Sequence, residues 1–135
     1  LAAGLCAERA TRVDMAAILD AKEGYENALK QGDFEAIVQA DTEFHQSMVR
    51  GAHSAYLETM INNLSIVNLS IYMTNFYLKK SKPTFSAEPI WIHTYIVDAL
   101  QKKDAAAASA AAKEHIEASL RFNLALFDSN TKVLS

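Results

Sequence analysis

Apolar residues recur at three- and four-residue steps along most of the chain, and no stretch alternates with period two long enough for a strand. Positions 1–10 already carry a helical pattern. Thr11 with Asp14 three residues later forms a capping-box signal, with Asp in place of the usual Glu. Val13, Ala16, Ala17, Leu19 and Ala21 then define the expected inner face of a helix ending near Gly32. Asp33 can cap the next helix, in which Phe34, Ile37, Val38, Phe44, Met48 and Val49 fall at helical spacing before Gly51. Ser54 can cap a further helix reaching about Leu78, with Leu57, Met60, Ile61, Leu64, Val67 and Ile71 as its apolar line. Two prolines mark 81–89 as a loop. A helix over about 90–103 follows, with Ile96, Val97 and Leu100 on one face. Asp104 caps the last helix, which runs to about Phe127 through an alanine-rich stretch suited to close helix packing. The expected architecture is all-α, an antiparallel bundle of about six or seven helices.

Composition agrees with this pattern. Half of the 135 residues are apolar and 21% are charged, enough for one domain with a real core and too apolar for disorder. The expected domain is 1–130, followed by a short tail at 131–135. The formal charge of −3, with no basic run longer than Lys79-Lys80, argues against direct grip on nucleic acid. A single cysteine, Cys6, excludes an internal disulfide and fits a reducing, cytoplasmic setting. No apolar run reaches membrane-spanning length, so no membrane partner is expected. The first residue is Leu1 rather than Met, inside an already helical pattern, which suggests a piece cut from a longer protein.

The chemistry lies in polar residues set on apolar stripes. Asp41 shares its helix face with Ile37, Val38, Phe44 and Met48, where a carboxylate is costly unless a cation or donors compensate it. His45 follows one turn later on the same patch. His93 shares a face with Ile96, Val97 and Leu100, and His115 shares one with Ala108, Ala111, Ala112 and Phe122. Singly, each has an ordinary explanation: an inward His is more often a hydrogen-bonded core residue, and Asp–His pairs at this spacing are common. Together, three imidazoles and one carboxylate form a good donor set for a divalent transition metal, Zn²⁺ first, with Ni²⁺ or Mn²⁺ as alternatives. His53, between Gly51 and Ser54, reads as a loop residue. Asn68 and Tyr72 on the long helix, and Arg50 at the end of the Asp41 helix, are candidate effector contacts. The ordinary readings are a core hydrogen bond for the first two and a surface charge for Arg50.

The segment Asp41-Thr-Glu-Phe-His45-Gln-Ser-Met resembles the D-x-x-F-H signature of the FadR-type C-terminal (FCD) domain, the sensory half of many GntR-family transcription regulators. His93-Thr-Tyr-Ile-Val-Asp-Ala99-Leu, then Lys103-Asp104-Ala, then Glu114-His115-Ile, resembles the rest of that pattern, with Lys103 where Gly is usual and Ser54-Ala55 in place of Asn-Pro. The likeness runs over about 1–126. It implies a bundle of six or seven helices in which Asp41, His45, His93 and His115 hold one divalent metal, the same four residues singled out by their placement. It further implies a small organic-acid effector, a homodimer, and operator DNA reached only through an N-terminal winged helix-turn-helix domain absent from this chain. No enzymatic role is expected, because no spare inward Glu or His remains as a general base once the four ligands are assigned. The alternatives are a metal-dependent hydrolase-like helical enzyme, or a bundle with a purely structural metal. A di-iron bundle is disfavoured, since none of the three histidines has Glu three residues earlier.

Overall fold

The computed structural model describes residues 1–64 and 91–131, with side chains up to 121 apart from those of 34, 91 and 92. Among these residues every regular element is a helix: α1 (Ala2–Arg9), α2 (Arg12–Gln31), α3 (Phe34–Gly51), α4 (helical over 55–64), α5 (Trp91–Gln101) and α6 (Ala105–Thr131). The chain is an all-α bundle. The expected loop at 81–89 and the far end of the helix toward Leu78 lie outside the described residues.

Local chemistry sets the helix ends. Thr11 accepts from the Asp14 backbone N–H while the Thr11 backbone N–H donates to the Asp14 carboxylate, so the capping box forms with Asp as its acidic member. Gly32 closes α2 in the left-handed conformation, φ +67°. Asp33 then caps α3 by accepting from the backbone N–H groups of Glu35 and Ala36. Asp104 caps α6 by accepting from Ala107. Lys103, standing where the motif pattern calls for Gly, has φ +54°, a conformation that disfavours a side chain. The short connections after α2 and α5 fold each helix back on the next, giving the hairpins α2–α3 and α5–α6, and α1 packs across α3, α5 and α6.

Phe44, Ile18, Ile96, Leu100 and Cys6 are the largest fully buried side chains. They belong to one core fed by α1, α2, α3, α5 and α6, while Tyr25, Ala28 and Ile37 form a smaller cluster between α2 and α3. The face expected for α2 is corrected here. Val13 is 78% exposed, and Ala16, Ala17 and Leu19 are also exposed; the buried stripe is Ile18, Ala21, Tyr25 and Ala28. The two stripes share only Ala21. The larger side chains of Ile18 and Tyr25, which bury more apolar surface, decide which face turns inward. On α4 the expected apolar line is split: Leu57 and Ile61 are partly buried, whereas Met60 and Leu64 are exposed.

Two glycines mark close approaches. A Cβ on Gly4 would stand 2.5 Å from Ser109 Oγ and 3.2 Å from the Ala105 carbonyl oxygen, so α1 lies directly on the first turns of α6. A Cβ on Gly51 would meet Cys6 Sγ at 2.8 Å. Arg9 Nη1 donates to the Ala52 carbonyl oxygen at 3.2 Å, and His53 Nε2 lies 2.9 Å from Asp14 Oδ2. His53, expected to be an unremarkable loop residue, therefore links the turn after α3 to the start of α2. Gly4→Ala gains about 1 kcal/mol of helix propensity. It also forces overpacking against a backbone oxygen, costing about 1–3 kcal/mol. The second effect is expected to win, lowering the melting temperature; an unchanged or higher value would show that α1 and α6 separate freely.

Candidate metal centre

Three helices bring four donors to one point. On α3, Asp41 and His45 stand one turn apart; His93 comes from the first turn of α5 and His115 from the middle of α6. Asp41 Oδ1 lies 3.3 Å from His93 Nε2 and 3.6 Å from His45 Nε2, and His45 Nε2 lies 2.9 Å from His115 Nε2. All four donor atoms fall within 4.8 Å of one another. Ligands about 2.1 Å from a common ion stand roughly 3.0 Å apart at right angles and roughly 3.4 Å apart at tetrahedral angles. The three measured separations bracket these values, while the widest of the set, up to 4.8 Å, exceeds the roughly 4.2 Å of ligands on opposite sides of an ion, so the side chains would draw slightly together around one.

The surroundings are nearly dry. His93 and His115 are each 3% exposed, and Ile37, Phe44, Ile96, Leu100 and Ala108 on the same helices are buried. Asp41 keeps a quarter of its side chain accessible, yet its Oδ1 is wholly buried. That oxygen, both ring nitrogens of His93 and Nδ1 of His115 have no hydrogen-bond partner among the described residues. Each buried polar group left without a partner costs about 1–3 kcal/mol. The group that would relieve Oδ1 and Nε2 together is a cation, since both are aimed at the same space. The donor set, three imidazoles and a carboxylate, is one that Zn²⁺, Ni²⁺ or Mn²⁺ accepts. The residues present fit such an ion.

Electrostatics point the same way. Burial lowers the pKa of His45, with His93 adding to the effect and the Asp41 charge opposing it. Burial lowers that of His115 to about 3, reinforced by His45 and His93. Both rings are therefore neutral at pH 7, the form that offers a lone pair to a metal. For Asp41, burial alone would raise the pKa, but attraction to His45, then to His93, outweighs it and holds the carboxyl below its ordinary range. The Asp41 carboxylate and the neutral rings of His45 and His115 coexist at neutral pH.

Besides the rings of His45 and His115, the ring of His93 packs against two others: Phe44 stacks on it at 4.2 Å with 29° between the planes, and Tyr25 meets it edge-on at 4.5 Å and 64°. Sequence reasoning missed Tyr25. The signal was present as the stripe Ile18-Ala21-Tyr25-Ala28, which the competing Val13-Ala16-Ala17 line obscured.

The matching family model is the FCD domain, which covers residues 1–118. The chain belongs to the FCD domain family. Among solved structures its fold is similar to that of McbR/YncC from E. coli, at 22% sequence identity and a TM-score of 0.78, over 91% of this chain and 60% of that one. The chain thus spans about three-fifths of the length of that structure. No curated protein matches it in sequence.

The four expected ligands of this FCD domain are brought together, while Arg50, one of the expected effector contacts, stands apart from them. Arg50 lies nine residues beyond Asp41, about 13 Å along the helix axis. It is exposed, and its guanidinium donates to the Glu43 carboxylate and to Ser47 Oγ. Asn68 and Tyr72 lie outside the described residues.

Linkage gives a pH dependence for the metal-free protein. His45 and His115 have pKa values lowered by folding, so the unfolded chain binds more protons as pH falls below about 6.5, and stability falls with it. For His115 this continues down to about pH 3. Asp41, also lowered, stabilises the fold above its ordinary range and loses that contribution in acid. Denaturant midpoints of chelator-treated protein are expected to drop between pH 7.5 and pH 5, and to drop less in His115→Leu. Equal drops in both proteins would show that His115 is not buried as a neutral ring.

Proposed function

We propose that this FCD domain binds one divalent transition metal through Asp41, His45, His93 and His115 and uses the centre to sense a small carboxylate effector. The observation that carries this reading is the convergence of four donor atoms within 4.8 Å, two of them, Asp41 Oδ1 and His93 Nε2, buried and without hydrogen-bond partners among the described residues. Zn²⁺ suits the donor set best, with Ni²⁺ or Mn²⁺ as alternatives. When bound, such an ion supplies positive charge in a poorly hydrated site, which attracts carboxylate oxygens.

The chain's own residues define what that site can do. Asp41 is the only carboxylate of the donor set, so a divalent ion held by it and by imidazole lone pairs would leave the centre net positive. Phe44, Ile96 and Leu100 keep water from one side of the cluster. Arg50 can join effector binding by exchanging its bond to Glu43 for a bond to a ligand carboxylate. Asn68 and Tyr72, which lie outside the described residues, are proposed as further contacts. We assign no catalytic role: among the described residues the only buried Glu, Asp or His side chains, His93 and His115, belong to the ligand set itself.

We read this domain as the sensory part of a GntR-type regulator of the cytoplasm, a reading that its FCD family membership supports. In that reading the domain forms a homodimer, and operator DNA is held by an N-terminal winged-helix domain outside this chain. Effector binding would alter how two such domains are spaced, which requires different effector affinities in the two arrangements.

Metal content and melting temperature test the reading together. About one transition-metal ion per chain is expected in protein purified without chelator. His93→Ala should lose the ion, and a panel of small carboxylates should raise the melting temperature only with metal present. A ligand at 100 times its Kd stabilises by about 2.7 kcal/mol, easily seen in a melting curve. Protein that takes up none of Zn²⁺, Ni²⁺ or Mn²⁺ would reduce the four residues to core polar groups.

A further inference from the structure

A histidine that ligates a metal is ordinarily steered by its other ring nitrogen, whose N–H donates to a carboxylate, a backbone carbonyl or a water. His93 lacks that support: its Nδ1 is buried and has no partner among the described residues. The χ2 torsion of an imidazole is soft and roughly two-fold, so an unsupported ring does not hold its plane by itself. Yet Nε2 of His93 is directed to within 3.3 Å of Asp41 Oδ1.

Two aromatic side chains fill the gap. Phe44, fully buried in the main core, stacks on one face of the imidazole. Tyr25, 3% exposed and rooted in the smaller cluster with Ala28 and Ile37, closes on it at 4.5 Å. The ring stands at the seam between the two clusters, held by one residue from each. Phe44 is fixed by its own helix, α3, which also carries Asp41 and His45. Tyr25 is the member that belongs to a helix without a ligand.

We infer that Tyr25 is a positioning residue for the metal centre, fixing the plane of the His93 ring by aromatic packing in place of a hydrogen bond to Nδ1. The inference rests on the metal-binding reading above. Phe44 and Tyr25 set the ring plane, and Asp41 selects which edge of the ring faces the cluster. The position of α2 thereby enters the affinity of a centre to which α2 contributes no donor.

The test compares Tyr25→Leu with Tyr25→Phe, using Zn²⁺ competition against a chromophoric chelator and the visible spectrum of the Co²⁺-loaded protein. Supporting residues around metal ligands typically change affinity 10- to 100-fold when removed. Tyr25→Leu is expected to weaken Zn²⁺ binding by at least about 10-fold and to change the Co²⁺ bands, while Tyr25→Phe, which keeps the ring, restores most of both. A folded Tyr25→Leu protein with wild-type affinity and an unchanged Co²⁺ spectrum would overturn the inference. Wild-type protein that binds neither metal would instead overturn the metal-binding reading, so the two failures are distinct. If Tyr25→Leu does not fold, ring-nitrogen NMR of the metal-free wild type decides. A strongly downfield Nδ1 proton on His93, the mark of a firm hydrogen bond, overturns the inference; its absence, with a single ordered ring orientation, supports it.

Discussion

One carboxylate oxygen in an apolar interior constrains much of the rest. Asp41 Oδ1 is fully buried on a helix whose neighbouring inward positions are Ile37, Phe44 and Met48. A charge there is tolerated only where compensation arrives from outside its own helix, because the one polar neighbour on α3, His45, lies 3.6 Å away and is itself pushed toward neutrality by burial. His93 of α5 reaches to 3.3 Å from that oxygen and His115 of α6 to 2.9 Å from His45, so side chains from both helices span across to α3. Small side chains set the packing around these groups: Ala108 is fully buried on α6 two turns before His115, and Gly4 lets α1 settle onto the first turns of the same helix. Polar geometry at the centre and small-residue packing around it are two sides of one constraint.

Much of this was legible in the residues, for a physical reason. A carboxylate or imidazole on an apolar stripe violates the ordinary sorting of polar groups, and such violations stand out against helical periodicity. Asp41, His45, His93 and His115 all stood out in this way, and the structure brings their donor atoms together. The caps were legible because Thr11, Asp33 and Asp104 act locally, within three residues of their partners. The face of α2 was not. That helix is rich in alanine, which is compatible with either side, and the choice depends on what α3 and α5 present to it. Tyr25 was missed for the same reason, since its value lies in a contact with a ring 68 positions away in the chain. Arg50 bonds Glu43 two turns back on its own helix, a contact within reach of the sequence through helical spacing alone.

His53 and Lys103 show what a resemblance adds and what it does not. The motif pattern marked Lys103 as standing where Gly is usual, and the backbone there is left-handed, so the geometry survives the loss of the residue that suits it. His53 also has positive φ, at 49°, and no motif drew attention to it. Its ring reaches Asp14, already the acidic member of the α2 capping box, so one carboxylate serves both the helix start and the turn after α3.

The placement of α3 follows from these contacts and bears on what the domain can do. Its middle carries two of the four donors. Its last turn is pressed on α1 through Gly51 and Cys6, held by Arg9 through the Ala52 carbonyl, and tied to α2 through His53 and Asp14. A helix of this length behaves as a rod, so Asp41 cannot shift along the axis without disturbing the junction of α1 with α2. A ligand that changes the distance between Asp41 and His93 has two routes open. It can slide α5 and α6 against a fixed α3, or carry the end of α3 and the first two helices with it. The first route strains the stacking of Phe44 and Tyr25 on His93; the second strains the contacts of Gly51, Ala52 and His53. Neither end of α3 is slack, which is the arrangement required for a small displacement at the centre to be felt at the N-terminal helices rather than absorbed between them.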